Sequence, residues 1–284
     1  LSWSISEWIV ATIGVRDYEY KDSTLEYHQG FWANSNTPAL IRDINGENSG
    51  QTYKANLSWR PNDDSLIYVQ WAEGFRPGET LARLNAALFD PEGTGFYVTQ
   101  AGEKIPIRDQ TDPDTLESLE IGFKGSFADN RIGLSAAIYH IDWEGLPLDR
   151  FVVRADNPGL FGRTAVNAGK STSEGIELES RISLRDNLRL DVGVSYNESK
   201  LSESNELGEK GDDLPGSSDF VFTAGLEYAF SISGRDTFAR VDYSYLSEFE
   251  TVLPALSAGA AFLSDDAGRP LSSGGYGLLH FKSG

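Results

Sequence analysis

Residues 188–197 (LRLDVGVSYN) alternate without exception between apolar and polar side chains. A period of two indicates a β-strand with one apolar face, because successive side chains of a strand point to opposite faces. The same pattern runs through residues 51–60, 118–127 and 220–230. These segments predict strands that each separate an apolar environment from a polar one.

Six further segments carry this pattern, some of them less cleanly, at residues 8–18, 66–73, 131–143, 174–182, 237–245 and 276–282. The total is about ten strands, several of them close to ten residues long. Strands of globular proteins usually span about five or six residues, whereas a tilted strand that crosses a membrane needs about 9–11. The strand lengths therefore favour a membrane protein.

The connections between these segments alternate between short and long. The short ones, at residues 61–64, 128–130, 184–187 and 232–236, are rich in residues that favour tight turns. The long ones cover residues 19–50, 74–115, 144–172, 200–218 and 246–275. Short periplasmic turns and long extracellular loops are typical of outer-membrane barrels, whereas a soluble sandwich has turns every 8–12 residues or so at both ends. The sequence therefore predicts an all-β fold, a segment of an up-and-down antiparallel transmembrane β-barrel.

Aromatic residues lie at or near the ends of several predicted strands: Trp59, Trp71, Trp143, Tyr196, Tyr228, Phe230 and Tyr245. Barrels carry aromatic girdles at the two membrane interfaces, although aromatic side chains also favour strands in general. We expect this set to contribute to such girdles.

Composition excludes several classes of protein. With 24 basic and 43 acidic residues, the chain has a formal net charge of −19, which argues against nucleic acid as a partner because phosphate binding needs basic patches. The absence of cysteine excludes disulfides, thiolate metal sites and cysteine nucleophiles. No window approaches the roughly 18 apolar residues of a transmembrane helix.

Residues for catalysis or metal binding are sparse. The three histidines, His28, His140 and His280, are far apart, and no metalloprotease, phosphate-loop, serine-hydrolase or dinucleotide motif occurs. His28 either faces a ligand or is a solvated loop residue, and we expect His140 to pack near the membrane interface. Acidic pairs such as 212–213 and 265–266 lack the spacing of a calcium loop, so we expect solvated carboxylates or carboxylates bridged to lipopolysaccharide by divalent ions. We predict no enzyme, no metal site and no cofactor.

The connection 144–172 differs from the acidic remainder of the chain. It carries four basic residues with two phenylalanines among them: Arg150, Arg154, Arg163, Lys170, Phe151 and Phe161. A basic patch with aromatic rings suits an anionic ligand with planar groups. Alternatively, these side chains only pack the loop or meet lipopolysaccharide phosphates.

Four stretches, in order along the chain, resemble the barrel of TonB-dependent outer-membrane receptors. Residues 68–77 (YVQWAEGFRP) resemble the family's YxxxxEGFRP strand end, and residues 115–125 (TLESLEIGFKG) resemble its ETLxSxEIGxKG strand. Residues 167–179 (NAGKSTSEGIELE) are similar to its NAGxxxxxGxELE segment, and residues 213–216 (DLPG) to the segment that enters a later strand.

The resemblance implies a 22-stranded barrel filled by an N-terminal plug, coupled to an inner-membrane TonB–ExbB–ExbD complex that supplies energy for import. Ten strands cannot form that wall, and no plug, TonB box or closing strands with a terminal aromatic residue are visible in the sequence. The chain also lacks methionine and starts at Leu1. We therefore expect residues 1–284 to be one domain, an internal-to-late part of the barrel in which the plug and the closing strands are absent.

The resemblance also implies positions for individual residues. In residues 66–73 we expect Ile67, Val69 and Trp71 to face lipid and Tyr68, Gln70 and Ala72 to face the lumen, with an extracellular loop beginning after Gly74. We expect the extracellular residues Phe75, Arg76, Arg154, Phe161 and Arg163 to help bind ligand. We expect Lys54, Glu120, Lys124, Glu177 and Asp191 to line the lumen, where they hydrate the wall or contact the plug.

The implied function is energy-coupled import of a ferric siderophore or similar iron complex across the bacterial outer membrane, with haem, cobalamin and oligosaccharides as other ligands of the family. The implied partners are membrane lipid, lipopolysaccharide, the TonB complex and a small nutrient molecule. Two alternatives remain open. One is a complete ten-stranded barrel enzyme of the omptin type, which needs Asp and His at the extracellular rim; the other is a passive porin or adhesin barrel.

Overall fold

The computed structural model describes residues 1–30, 35–81, 84, 86–99, 102–154, 157–205, 208–254, 265–266 and 269–284. Within these ranges, no helix has the length and apolar character needed to cross a bilayer. The chain forms one large antiparallel sheet, and the connections on one side of it carry their own small packed cores.

The sheet is formed by strands that follow one another along the chain. They are β1 (Ser2–Ser4), β2 (Ile9–Gly30), β3 (Ser35–Asn62), β4 (Ser65–Arg76), β5 (Phe96–Thr99), β6 (Lys104–Pro106), β7 (Asp114–Phe127), β8 (Ile132–Arg154), β9 (Asn157–Arg185), β10 (Leu188–Leu201), β11 (Phe220–Ile232), β12 (Arg235–Leu246) and β15 (Tyr276–Ser283). Two short strands, β13 (Phe249–Glu250) and β14 (Ser272–Ser273), pair with each other, and a one-turn helix α1 spans Ala86–Phe89.

The strand order is β1-β2-β3-β4-β7-β8-β9-β10-β11-β12-β15, with β5 and β6 added against β8. Each of the ten predicted strands lies within one of the ten long strands of this path, to within one residue, and β2, β3, β8 and β9 extend well beyond the predicted segments. In the part of the chain that the structure describes, β1 and β15 are the two edges, so the sheet is an open wall. The predicted all-β, up-and-down antiparallel barrel architecture is confirmed.

The register places apolar side chains together on one face of the wall. Ile121 pairs with Ile138, which pairs with Ile176, which pairs with Tyr196. These isoleucines remain 48%, 56% and 56% exposed although they are in the middle of the sheet. A soluble protein would bury such a row, so this face is the one that meets lipid.

The opposite face is polar along the neighbouring row of residues. Gln70 pairs with Glu120, Glu120 with Tyr139, and Tyr139 with Gly175. By register, Ile67, Val69 and Trp71 lie on the apolar face and Tyr68, Gln70 and Ala72 on the polar face, as predicted. That the polar face lines a lumen stays a prediction. Of the seven aromatic residues expected in the girdles, six share the apolar face by register, but Trp143 has the parity of Tyr139 and lies on the polar face. The girdle prediction was wrong for Trp143, because strand ends alone do not distinguish the two faces.

The four short connections are tight turns at the same end of the wall. The turn between β7 and β8 places Ala128, Asp129 and Asn130 at φ of 53°, 54° and 64°, and the turn between β11 and β12 places Ser233 and Gly234 at 53° and 76°. Asn, Asp and Gly tolerate this left-handed region better than other residues do. These turns of two to four residues fix the register of the hairpins.

Two of the five predicted long loops are largely strand. The ladder between β2 and β3 continues from Ile9–Trp59 to Gly30–Ser35, and the ladder between β8 and β9 continues from Ile132–Ile182 to Arg154–Asn157. The long connections predicted at 19–50 and 144–172 are therefore extended hairpins, and both pack against the connection 74–115. Their residues consequently lack the clean alternation of a membrane strand.

The buried core of the described residues lies mainly in these outer connections. Phe89, Tyr97 and Ile105 of the connection 74–115 pack on Val152 of β8, where β5 also adds to the sheet. Leu148 of β8 packs with Leu201 and Leu253 from the last two connections. The wall is thus a single sheet, and the buried apolar clusters lie mainly among residues of the long connections.

Candidate functional site

The polar face of the wall holds all five residues that were expected to line the lumen. By register, Lys54, Glu120, Lys124, Glu177 and Asp191 share this face. A concavity of about 970 Å³ opens on it near the short turns, lined among others by Lys124, Glu179, Asp191 and Arg240. The assignment of these residues to a barrel interior stays a prediction, since the wall is open in the described residues.

An ion-pair network covers the part of this face nearest the short turns. Asp191 lies 2.9 Å from Arg240, 3.0 Å from Arg181 and 3.4 Å from Arg189. Arg240 also contacts Asp242 at 2.7 Å and Glu227 at 3.5 Å. Because each charge meets at least one opposite charge, the network joins β9, β10, β11 and β12 without leaving a large net field.

A second polar group lies nearer the long connections. The Tyr68 hydroxyl donates a hydrogen bond to Glu120, and the Lys124 ammonium lies over the Tyr68 ring, 5.9 Å from its centroid. The Tyr139 hydroxyl donates to Asn197 Oδ1 at 3.1 Å. These side chains cross from strand to strand along the wall and leave the space in front of it open.

Arg76 occupies the point where β4 leaves the wall. Its Nε and Nη2 donate to the same oxygen of Asp114 at 3.0 and 2.5 Å, and its guanidinium lies 5.1 Å from the centroid of Trp143. Asp114 is 3% exposed whereas the Arg76 side chain is 44% exposed. The buried carboxylate and the ring hold the guanidinium in place while part of it still faces solvent, which is an arrangement suited to binding an anionic or planar group.

Phe75 has a different environment from its neighbour Arg76. Its ring stacks on Tyr18 of β2 at 3.5 Å and an angle of 11°, and Arg16 lies 5.8 Å from the same ring. The Tyr20 ring lies 6.5 Å from the Phe75 ring, and the Tyr20 hydroxyl accepts a hydrogen bond from the Gly78 N–H at 3.1 Å. Phe75 therefore anchors the connection 74–115 to β2, and its ring is largely committed to that contact.

The basic patch predicted for 144–172 is largely ion-paired in the folded chain. Arg150 is buried and pairs with Glu103, Arg163 lies 3.2 Å from Asp149, and Lys170 lies 3.2 Å from Glu144. The hydrogen bond to Glu144 raises the pKa of the Lys170 ammonium. Three of the four basic residues are thus paired with acids from the same hairpin or the connection 74–115, which favours the alternative that they pack the outer connections. Binding of an anionic ligand by this patch stays a prediction.

The tip of the β8–β9 hairpin carries the remaining predicted ligand residues. Phe161 is half exposed and meets Phe151 edge to face at 5.8 Å, and Arg154 lies half-buried where the two strands end. Phe161 pairs with Val153, ten residues along β8 from Trp143. At roughly 3.3 Å per residue this is about 30 Å along the strand. Phe161 and Arg76 therefore belong to two separate places and do not form a single small-molecule site.

Asn167 has a structural role that the sequence did not reveal. Its Oδ1 accepts the Asp112 N–H at 2.7 Å, and its Nδ2 donates to the carbonyls of Asp112 and Gly145, both at 2.8 Å. Gly145 has a φ of 73° in the irregular part of β8. One amide side chain therefore joins the connection 74–115 to both strands of the hairpin. The NAG motif at 167–169 was the available signal, but it pointed only to a family and not to this contact.

The acidic and histidine residues of the described chain do not converge on a metal. Among the described residues, no group of three or more His, Asp or Glu has the geometry to hold an ion. His140 lies on the apolar face, at the side of the wall nearer the long connections. Its ring nitrogens lie 2.8 Å from Glu174 and 3.1 Å from Asp142. His28 lies in β2, but its side chain is outside the described residues.

In the last connections, burial raises the pKa of the Glu250 carboxyl, and the charges of Asp213 and Glu248 raise it further.

Comparison with known proteins gives a consistent result. The sequence model of the family described as "TonB dependent receptor-like, beta-barrel" matches residues 1–284. A curated relative, the "Probable TonB-dependent siderophore receptor PiuA" of Acinetobacter baumannii, is 25% identical over 186 residues, which are 66% of this chain and 22% of the relative.

Solved structures share the fold of this chain at low identity. The ferric yersiniabactin uptake receptor FyuA from Yersinia pestis has a TM-score of 0.66 at 15% identity, over 99% of this chain and 36% of its own. The ferric-catecholate import receptor Fiu from E. coli K12 has a TM-score of 0.64 at 18% identity, over 97% of this chain and 35% of its own. The chain thus spans about a fifth of the curated relative and about a third of these receptors.

Proposed function

The chain belongs to the TonB-dependent receptor β-barrel family, whose members are bacterial outer-membrane proteins, and from this premise we propose that it forms part of the barrel of an energy-coupled importer. The observation that carries the proposal is the two-faced wall: an exposed apolar face on one side and a continuous charged and hydroxylated face on the other. Such a wall is useful only around a polar interior within a membrane.

We propose an iron complex, of the ferric siderophore type, as the ligand. The names of PiuA, FyuA and Fiu support this class, since each refers to a siderophore or to a ferric ligand. The family consists of transport receptors and not enzymes, and the omptin-type alternative is not favoured, because His140 is on the apolar face. A passive pore does not depend on energy coupling, so an experiment that removes the coupling complex distinguishes a passive pore from an energy-coupled importer.

The remaining partners follow from the same proposal. Energy coupling requires contact with a TonB–ExbB–ExbD complex, and in this family that contact is made by a plug domain inside the barrel. We propose that the polar face, including Lys54, Glu120, Lys124, Glu177 and Asp191, either hydrates the interior or contacts such a plug. Lipid meets the apolar face, and lipopolysaccharide meets the outer rim, where acids such as Glu174 and Asp142 lie.

Uptake of radioactive iron tests the proposed function. The protein that carries this chain is produced in a strain without its own siderophore receptors, and the cells are given ⁵⁵Fe³⁺ bound to catecholate, hydroxamate or mixed chelators. We expect uptake of at least one complex, and we expect it to disappear in a tonB deletion. Uptake that persists without TonB would indicate a passive pore, and cleavage of added peptides without uptake would indicate an enzyme.

Arg76 is the residue that we propose to contact ligand directly. Replacing Arg76 by Gln removes the charge but keeps a side chain of similar length beside Trp143. We expect ⁵⁵Fe-chelate binding to whole cells to weaken by about tenfold, the effect of losing one charge-assisted hydrogen bond worth about 1.5 kcal/mol. Arg163→Gln, a change at the distant hairpin tip, is the matched control and should bind with nearly unchanged affinity. Equal affinities for both variants would exclude Arg76 from the binding site.

A further inference from the structure

Two tyrosines of the polar face lie flat across a glycine of the adjacent strand. Tyr68 of β4 is directly opposite Gly122 of β7, and Tyr139 of β8 is directly opposite Gly175 of β9. A Cβ atom added to Gly122 would be 2.2 Å from Tyr68 Cζ, and one added to Gly175 would be 2.4 Å from the Tyr139 hydroxyl. Each ring therefore occupies the space that a side chain at the glycine would need.

The glycines are not required by the backbone. Neither Gly122 nor Gly175 has a positive φ, so any residue could adopt their backbone conformation. Glycine also weakens the interior of a strand relative to residues with a side chain. These positions require a residue without a Cβ, because the tyrosine side chain on the neighbouring strand occupies the space where the Cβ would lie.

Hydrogen bonds hold both rings down. Tyr68 donates to Glu120, two residues from Gly122 on the same strand, and Tyr139 reaches across β9 to Asn197 of β10. With the ring displaced from the glycine, the side chain would have to turn away from the wall into the space in front of it. The two tyrosine side chains thus lie along the sheet and do not project far from its polar face.

We propose that Gly122 and Gly175 set the width of the interior passage, because they let Tyr68 and Tyr139 lie against the wall. The inference rests on the proposed import function and deepens it, since it assigns to two glycines the clearance available to a bulky ligand or to a moving inner domain. The two pairs face the same interior on neighbouring strand pairs, so their effects on clearance add.

Gly122 is the better position for a test. The nearest three atoms to its added Cβ all belong to the Tyr68 side chain, whereas at Gly175 the carbonyl oxygen of Tyr196 would be only 2.8 Å away. Gly122→Ala should therefore displace Tyr68 without moving the backbone. The test compares the unaltered protein, Gly122→Ala, Tyr68→Ser and the double variant, using uptake of a ⁵⁵Fe³⁺ tris-catecholate chelate or whichever chelate the unaltered protein imports.

We expect Gly122→Ala to import roughly tenfold more slowly, equivalent to a barrier higher by about 1.4 kcal/mol, because the displaced ring narrows the passage, while chelate binding to de-energised cells stays unchanged. Tyr68→Ser and the double variant should import at the unaltered rate, because neither carries a ring to displace. Unchanged uptake by Gly122→Ala would overturn the inference. Loss of the folded, heat-modifiable form in Gly122→Ala, restored in the double variant, would also overturn it by assigning the pair to folding. Failure of the unaltered protein to import any chelate would instead reject the proposed function.

Discussion

Replacing Arg240 by Met should lower the free energy of unfolding by about 2 kcal/mol or more, the largest effect that we expect from a single change in the wall. Arg240 is 18% exposed and holds Asp191, Asp242 and Glu227 together. Without Arg240, these three carboxylates have less positive charge nearby to offset their mutual repulsion. Removing one partner of a buried ion pair costs about 3–5 kcal/mol. Water reaches this network, so the loss should be somewhat below that range.

Arg181→Met is the matched control for Arg240→Met. Arg181 binds the same carboxylate, Asp191, at a similar distance, but its side chain is 71% exposed. An exposed ion pair contributes only about 0–1 kcal/mol. Urea unfolding of the protein that carries this chain, reconstituted in lipid and followed by tryptophan fluorescence, measures both variants. The difference between them should shrink at high salt, because screening weakens the repulsion that Arg240 relieves. Equal losses for the two variants would contradict the role of burial.

The strands of the wall could be predicted from sequence, because the choice between an apolar and a polar side chain at each position depends only on which face that position occupies. Each residue of a membrane strand meets either lipid or the polar interior, so residues such as Leu188, Asp191 and Val192 report their face without knowledge of the rest of the chain. The short turns were predictable for the same reason, since their residues need only suit their own backbone. Strand order then follows, because short turns join neighbours in an up-and-down sheet.

The outer connections could not be predicted in this way because their environment is made by residues far apart in sequence. Arg150 is neutralised by Glu103, 47 residues earlier, and Arg76 by Asp114, 38 residues later. A basic cluster in the sequence therefore says little about the charge of the folded surface. The motif around residues 68–77 drew attention to Arg76, but neither its partner Asp114 nor the contact with Trp143 was visible before the strands were paired.

Asn167→Ala should release the connection 74–115 from the β8–β9 hairpin. The substitution removes three hydrogen bonds and leaves the N–H and C=O of Asp112 and the C=O of Gly145 without this partner. Net contributions of about 1 kcal/mol for each bond predict a local loss of about 2–3 kcal/mol. Local opening should therefore become easier, and the amide hydrogen of Asp112 should exchange with solvent faster by about two orders of magnitude.

Two variants separate the contact of Asn167 from general damage to the hairpin. Asn157→Ala changes the same residue type on the same strand, but the Asn157 side chain accepts the Gly159 N–H within its own turn, far from Asp112, so exchange at Asp112 should stay slow. Asn167→Asp keeps the acceptor for the Asp112 N–H and loses both donated bonds, so its effect should be intermediate. The other end of the connection remains tied to β2, because Phe75 stacks on Tyr18 and the Gly78 N–H donates to the Tyr20 hydroxyl. Faster exchange should therefore be confined to the part near Asp112; exchange that rises equally throughout residues 74–81 would show that the connection opens as one unit and that Asn167 is not its separate attachment.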